Sequence, residues 1–258
     1  MSDTFLRLHQ TGLLILPNVW DAGSARLVES LGAPALATTS AGVAWVRGYR
    51  DGDHLPVAAV LETVEEIARV VSAPVSTDLE GGYSDDPARV AALAKQVRDA
   101  GASGVNLEDG AGSAERLADK ISAVKAAAPE LFVNARTDVW LRGVGEPEGR
   151  VEEALRRAAL YRAAGADGLF CPYLAQPQEI SRVVADCGLP LNLMAKPDTP
   201  SVAELRRLGV RRLSAGSAIS EAVLGLVRRL ATGFLNDARI EPMTDGALAY
   251  GEANALFL

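Results

Sequence analysis

The feature that most constrains the fold is a regular alternation of short apolar runs with longer helical segments. Eight runs rich in apolar and β-branched residues are candidate strands, at residues 13–19, 35–39, 73–80, 104–109, 131–137, 168–173, 190–195 and 211–216. Between them, apolar residues recur at three- and four-residue spacing, at residues 22–31, 87–100, 113–128, 149–164, 177–187 and 201–208. That spacing is typical of helices that pack one face against a sheet. The alternation therefore predicts an α/β fold with a parallel sheet.

The length of the chain favours one closed barrel. Eight strand–helix units in 258 residues match the size of a single (β/α)8 TIM-type barrel. The alternative is an open, doubly wound sheet. The first strand is followed by N-V-W-D-A-G-S (18–24), which lacks the G-x-G-x-x-G spacing of dinucleotide-binding open sheets. Because no low-complexity linker divides the chain, we predict one barrel domain over residues 1–258.

Charge and cysteine content argue against several classes of protein. Lys and Arg total 26 against 33 Asp and Glu, a net charge of −7 without a basic cluster, so we expect no nucleic-acid partner. The apolar stretch at 13–16 is too short for a signal peptide core or a membrane span, and we expect a cytoplasmic protein. Cys171 and Cys187 are the only cysteines and there are two histidines, so a zinc site is not expected.

Acidic side chains end the third and fourth candidate strands. In a barrel these C-terminal strand ends meet at the mouth, where active sites lie. Asp78 and Glu80 are two residues apart, so strand alternation should aim both at the same face, and Glu108 comes from the next strand. Carboxylates this close in a low dielectric need a cation. Because His and Cys are absent nearby, these three residues predict a Mg²⁺ or Mn²⁺ site.

Other polar residues at strand ends are candidate substrate ligands. Arg136 lies near the end of the fifth candidate strand, and its planar guanidinium matches a substrate carboxylate. The alternative is that Arg136 forms a salt bridge with Glu80 or Glu108 and that the acids need no metal. Asn192 on the seventh strand is also expected at the mouth, and the S-A-G turn at 40–42 could offer backbone N–H groups to an anion.

Five blocks of sequence, in order along the chain, resemble the isocitrate lyase/phosphoenolpyruvate mutase superfamily. They are P-N-V-W-D-A-G-S-A-R (17–26), T-T-S-A-G-V-A (38–44), T-D-L-E-G-G-Y (77–83), N-L-E-D (106–109) and N-A-R-T-D (134–138). The resemblance implies a (β/α)8 barrel that binds Mg²⁺ and a small 2-oxo or 2-hydroxy carboxylate. It also implies a homodimer or homotetramer in which the C-terminal helix is swapped between subunits.

The resemblance further implies roles for individual residues. Asp78 is similar in position to the direct metal ligand, with Glu80 and Glu108 holding the metal through waters. The backbone of Ser40, Ala41 and Gly42 and the side chain of Arg136 are implied to bind the substrate carboxylate. Asp51 is implied to contact metal-bound water or substrate and to take part in catalysis.

The chain departs from the superfamily in the loop after the fourth strand. The lyases carry K-K-C-G-H there with a catalytic Cys, whereas this chain reads L-E-D-G-A-G-S-A-E-R (107–116), and Gly110 stands where the mutases have Lys. We therefore expect a Mg²⁺-dependent lyase or decarboxylase that cleaves a C–C bond beside the carbonyl or hydroxyl of a small 2-oxo or 2-hydroxy (di)carboxylate, through a metal-stabilised enolate. The alternatives are a phosphonate P–C bond enzyme and a non-catalytic oxo-acid-binding protein.

Overall fold

A barrel of parallel strands forms the centre of the computed structural model, which describes residues 2–258. The strands are β1 (Leu14–Leu16), β2 (Asn18–Val19), β3 (Leu36–Thr38), β4 (Val75–Asp78), β5 (Gly104–Glu108), β6 (Phe132–Arg136), β7 (Gly168–Phe170), β8 (Leu191–Met194) and β9 (Arg212–Ser214). They pair in parallel in the order β1-β9-β8-β7-β6-β5-β4-β3-β2. β1 and β2 are separated by Pro17 alone, which has no N–H to donate. Because β1 pairs with β9 and β2 with β3, they are two halves of one strand, and the predicted (β/α)8 barrel is confirmed.

Helices cover the outside of the barrel. They are α1 (Ser2–Leu8), α2 (Ala22–Ser30), α3 (Ser40–Val46), α4 (Val57–Val70), α5 (Pro87–Asp99), α6 (Ala114–Ala127), α7 (Arg150–Ala163), α8 (Pro177–Asp186), α9 (Val202–Leu208), α10 (Ala218–Asp237), α11 (Glu241–Thr244) and α12 (Tyr250–Ala255), with a 3₁₀ turn at Pro147–Gly149. Local sequence sets their ends: the carboxylate of Asp21 accepts the N–H of Ser24 at 2.6 Å at the start of α2, and α9 ends at Gly209 with φ 86°.

Strand side chains alternate between the outer core and the barrel interior. Val105 and Val133 belong to the main apolar cluster between strands and helices. Their neighbours Asn106 and Asn134 pair instead with each other, the Asn134 amide donating to Oδ1 of Asn106 at 2.9 Å. Both asparagines are buried, which is tolerated because they satisfy one another. The interior is therefore polar beneath the C-terminal strand ends.

The N-terminal end of the barrel is closed by apolar and aromatic side chains. Phe5 of α1 packs edge-on against Phe132 at 5.3 Å between ring centroids, within a cluster that includes Leu14 and Leu16. The ring of His9 stacks on Phe132 at 4.3 Å, and its Nδ1–H donates to the carbonyl of Phe5 at 2.8 Å. This end of the barrel is therefore plugged, and ligands must enter from the opposite end.

Helix α10, which follows the last strand of the barrel, is the least buried long helix. Its exposed apolar residues are Ile219, Val223, Leu224, Leu226, Val227, Phe234 and Leu235. The end of the chain returns to α2, where Nε of Arg26 donates to the carbonyl of Leu256 at 2.6 Å. Despite this apolar face, none of the helices within residues 2–258 has the combined length and hydrophobicity that crossing a bilayer requires.

Candidate active site

A cavity of about 280 Å³ lies at the C-terminal ends of the strands, and we call it the central cavity. Five residues selected from the sequence line it together: Ser40, Ala41, Asp51, Asp78 and Arg136. They come from three different strand ends and from the loop after α3, so only the closed barrel brings them close. This is the face at which barrel enzymes carry their active sites.

The start of α3 supplies unpartnered backbone N–H groups to the central cavity. The first backbone bond of this helix runs from the N–H of Val43 to the carbonyl of Thr39 at 3.0 Å. The N–H groups of Ser40, Ala41 and Gly42 therefore have no partner within the helix. Gly42 is buried behind the other two, and a Cβ there would lie 2.7 Å from Cγ2 of Thr39 and 2.9 Å from Cβ of Trp20.

Asp78 ends β4 at the wall of the central cavity. Its backbone N–H donates to Oγ1 of Thr38 at 2.9 Å, and its carboxylate accepts the N–H of Glu80 at 3.2 Å. Burial raises the pKa of Asp78, and the charge of Asp51 raises it further, while Arg136 and a hydrogen bond from Ser40 lower it. The carboxylate is thus held in place, and a cation beside it would favour its charged form.

The prediction that Asp78 and Glu80 project to the same face is wrong. β4 ends at Asp78, and Glu80 has φ 51°, so strand alternation does not reach it. The Glu80 carboxylate accepts the N–H of Asp53 and, at 2.9 Å, the hydroxyl of Tyr83. It lines a neighbouring cleft instead of the central cavity. Burial raises the pKa of Glu80 to about 7, with a contribution from the charge of Asp78.

Arg136 forms an ion pair with Glu108, as the alternative interpretation of the sequence anticipated. Their strands place the two residues side by side, with Nη1 of Arg136 2.6 Å from Oε2 of Glu108. Nε and Nη2 of Arg136 donate to buried Asp138 at 2.7 and 3.2 Å. Burial raises the pKa of Glu108 to about 8, although Arg136 opposes the shift. Arg136 therefore borders the central cavity with all three nitrogens engaged.

The neighbouring cleft is larger, about 480 Å³, and lies between the loops that follow β4 and β5. Glu80, Glu108, Gly110 and Lys120 line it, but Asp78 and Arg136 do not. Lys120 of α6 is 6% exposed, and its Nζ donates to the carbonyl of Gly81 at 2.7 Å. Sequence reasoning missed this lysine because it lies ten residues beyond Gly110 and on a helix. We place the site in the central cavity, since Asp78 and the start of α3 meet there.

Asn192 lies beneath the central cavity and not in its wall. Its side chain is 1% exposed and accepts a hydrogen bond from Oγ of Ser214 at 3.3 Å. Met194 and Lys196, which follow on the same strand and loop, line the wall, as does Tyr173 after β7. Lys196 and Tyr173 were not singled out from the sequence. Their positions just beyond two strand ends were the signal that could have found them.

Other polar groups near the strand ends are structural. Oδ2 of Asp109 accepts Nη1–H of Arg157 at 2.7 Å and the hydroxyl of Tyr161 at 2.6 Å, which ties the end of β5 to α7. Cys171 and Cys187 are buried free thiols, and burial raises the pKa of both. A buried thiol with a raised pKa is a poor nucleophile.

The carboxylates fit a hard cation that keeps most of its water. Within residues 2–258, no three Asp, Glu, His or Cys side chains converge closely enough to hold one ion together. Mg²⁺ usually retains several waters and uses one or two carboxylates. Asp78 as the direct ligand, with Glu80 and Glu108 farther out, suits this mode, and all the donors are oxygens. The residues present therefore fit Mg²⁺ or Mn²⁺ but not a preformed three-carboxylate cage.

The family model for phosphoenolpyruvate phosphomutase matches residues 5–235. This chain belongs to that family. A Burkholderia cenocepacia crystal structure described as a candidate phosphonomutase is 40% identical, covers 90% of this chain and 98% of its own, and superposes with a TM-score of 0.85. An uncharacterized protein of Mycobacterium tuberculosis is 38% identical over 222 residues, which are 83% of this chain and 82% of that protein.

Members of the superfamily with described activities are more distant. The 2-methylisocitrate lyase of Halalkalibacterium halodurans is 27% identical over 74% of this chain and 66% of its own length. The oxaloacetate decarboxylase of a Bradyrhizobium strain is 28% identical over 76% and 70%. A phosphonopyruvate hydrolase complex with oxalate and Mg²⁺ shares the fold at 24% identity, with a TM-score of 0.86 and coverage of 99% and 94%. Family membership therefore indicates lyase or mutase chemistry without choosing a reaction.

Proposed function

We propose that this protein is a Mg²⁺- or Mn²⁺-dependent enzyme that cleaves a C–C bond beside the carbonyl or hydroxyl of a small 2-oxo or 2-hydroxy carboxylate. Decarboxylation of an oxaloacetate-like acid is the reaction that needs the fewest protein groups. The observation that carries the proposal is that Asp78, Asp51, Arg136 and the unpartnered N–H groups at the start of α3 share one small cavity. A 2-oxo acid is an anion that also chelates a metal ion. It therefore needs N–H donors for its carboxylate and a carboxylate such as Asp78 to hold the metal.

The chain's own groups would bind and orient such a substrate. The N–H groups of Ser40 and Ala41 lie at a helix start, which favours a carboxylate. Arg136 adds positive charge at a fixed position, because Glu108 and Asp138 hold its guanidinium. When bound at Asp78, Mg²⁺ would supply positive charge for the oxygen on which negative charge develops as the bond breaks. Asp51 borders the same cavity and is positioned to contact the substrate or a water.

Decarboxylation suits a cavity that contains neither Cys nor His. The bond between the departing carboxylate and its neighbouring carbon breaks, the electron pair remains as the enolate, and a solvent proton completes the product. Among the described residues that line the central cavity there is no Cys or His. This reaction requires neither, which is why we prefer it to a cleavage that needs the K-K-C-G-H loop.

Phosphonate P–C chemistry is the second candidate. Its support is the 40% identity to the Burkholderia protein described as a candidate phosphonomutase. Against it, Gly110 occupies the position where the mutases carry Lys, and the nearby Lys120 is buried against the Gly81 carbonyl. Phosphonopyruvate therefore belongs in any substrate test.

The proposal is tested by Mg²⁺-dependent product formation from a panel of 2-oxo and 2-hydroxy acids and phosphonopyruvate. We expect pyruvate from an oxaloacetate-like acid, abolished by EDTA. Asp78→Asn should weaken Mg²⁺ binding at least tenfold and remove most of the activity, while Asp119→Asn, at an exposed position on α6, should behave as wild type. Binding without turnover of any acid would instead indicate an oxo-acid-binding protein, and phosphate release would favour the second candidate. Unchanged Mg²⁺ affinity in Asp78→Asn would remove the metal assignment.

We also infer a homodimer or homotetramer in which a second copy covers the exposed apolar face of α10. A 20-residue helix with seven exposed large apolar residues is unfavourable in water. The proposed helix swap between subunits would bury this face. The oligomeric state can be measured independently of any activity.

A further inference from the structure

We propose that Lys196, lying over the ring of Tyr173, binds the far carboxylate of a dicarboxylic substrate in the central cavity. This inference rests on the proposed function and names its substrate class. The near carboxylate would lie at the start of α3 beside Arg136. Lys196 would then distinguish dicarboxylates from monocarboxylates.

The backbone of Lys196 is held at the end of β8. Its N–H donates to Oγ1 of Thr199 at 2.8 Å, and that hydroxyl donates to the carbonyl of Met194 at 3.2 Å. The N–H of Thr199 in turn donates to the carbonyl of Lys196 at 3.0 Å. These bonds fix the backbone position of Lys196. Only the four-carbon stem of its side chain can still change conformation.

The ammonium group of Lys196 rests on an aromatic ring at the mouth of the cavity. Its Nζ lies 4.5 Å from the centroid of the Tyr173 ring, within the range of cation–π attraction. Tyr173 has φ 66°, a left-handed conformation that is unfavourable for a residue other than glycine, and its side chain remains 45% exposed. Such backbone outliers concentrate at ligand sites. Here the left-handed residue is Tyr173, whose ring lies outside the core and in contact with Lys196.

Lys196 is the cation of the central cavity that has no ionic partner. Arg136, the other cation in its wall, bonds Glu108 and Asp138 through all three nitrogens. Within the part of the chain that the structure describes, Nζ of Lys196 has no carboxylate within 4 Å. Glu221 borders the same cavity, but its carboxylate accepts a hydrogen bond from Oγ of Ser217 at 2.5 Å. An anionic ligand could therefore pair with Lys196 without breaking an existing salt bridge.

The size of the central cavity agrees with a short diacid. Its volume of about 280 Å³ is at the small end for ligand pockets, which begin at roughly 300 Å³. A monocarboxylate such as pyruvate would occupy the α3 side and leave the ammonium without a counter-charge. A four-carbon dicarboxylate carries a second charge that would pair with Lys196 in the wall of the same cavity.

The test compares the binding of two ligands to the wild-type protein and to variants at two lysine positions, Lys196 and Lys95. Mg²⁺-dependent binding of pyruvate and of 3,3-difluorooxaloacetate, a dicarboxylate analogue of oxaloacetate, is measured by calorimetry. We expect wild type to bind the dicarboxylate at least tenfold more tightly. Lys196→Met should lose that preference and keep its affinity for pyruvate, and Lys196→Arg should restore most of it. Lys95→Met, which removes an exposed lysine on α5, is the matched control and should match wild type.

The outcomes separate this inference from the function on which it rests. If pyruvate binds with Mg²⁺ but the dicarboxylate binds no tighter, or if Lys196→Met weakens both ligands equally, the role of Lys196 is wrong and the proposed function stands. If neither ligand binds wild type with Mg²⁺, both proposals fail. With any substrate that turns over, Lys196→Met should raise KM more than it lowers kcat, because the residue acts in binding.

Discussion

His9 should make the protein sensitive to mild acid. Its ring is 2% exposed, stacked on Phe132 and bonded to the carbonyl of Phe5. Burial, followed by the positive charge of Arg212, lowers the pKa of His9 from 6.5 to about 4, although the bond to Phe5 opposes the shift. Between pH 6.5 and 4 the unfolded chain therefore binds a proton at this position that the folded protein does not.

The size of the effect follows from proton linkage. Stability rises with pH wherever the unfolded state binds more protons, so it falls as the pH drops through this window. Each tenfold difference in proton affinity is worth about 1.36 kcal/mol, so His9 destabilises the fold by about 3 kcal/mol below pH 4. At pH 4.5 the loss is about 2.5 kcal/mol, and at pH 7 it is negligible.

Urea unfolding at pH 7 and pH 4.5, followed by tryptophan fluorescence, measures this loss. His9→Phe retains an aromatic ring for Phe132 to pack against but cannot take up a proton. It should lose about 2.5 kcal/mol less than wild type between the two pH values. His54→Gln, on an exposed loop, is the control and should keep the wild-type pH dependence. Equal acid destabilisation of His9→Phe and wild type would refute the reasoning.

Three further substitutions test packing and assembly. Asp109→Ala would leave Nη1 of Arg157 and the hydroxyl of Tyr161 buried without their acceptor, while Nε of Arg157 keeps Glu153; it should destabilise the protein by about 3 kcal/mol in urea unfolding, whereas Asp119→Ala should have little effect. Gly42→Ala places a Cβ 2.7 Å from Thr39, so we expect a loss of about 1 to 3 kcal/mol and weaker oxo-acid binding; full stability would contradict the observed packing. Leu235→Asp changes an 82% exposed residue of α10 and should shift light scattering from oligomer to monomer, and an unchanged mass would mean that this face is not the interface.

The barrel could be predicted from the sequence because its signal is periodic. Every candidate strand contains a strand of the structure, and the order along the chain is that of the barrel. The differences occur at strand ends. Pro17 interrupts the first strand because it has no N–H for the ladder, and the third strand stops at Asp78 because Glu80 adopts a left-handed conformation.

Part of the site could also be anticipated from the sequence. The sequence indicated four lining residues because each lies at or just after the C-terminal end of a strand: Asp78, Arg136, Ser40 and Ala41. The C-terminal ends of parallel strands meet on one face of the barrel. Asn192 is buried in the barrel interior, below the residues that line the cavity. Strand alternation predicts which face of the strand a side chain occupies, but it does not predict how deep in the barrel that side chain lies.

The sequence alone thus determined the fold class, the face that carries the candidate site and some of the polar residues on that face, since these depend on local periodicity and chain order. Only the tertiary structure decided what each side chain contacts. It turned Glu80 toward Asp53 and Tyr83, paired Arg136 with Glu108, and left Lys196 on Tyr173 without an ionic partner. These contacts join residues from separate loops, and their geometry depends on backbone angles and packing that no local pattern encodes.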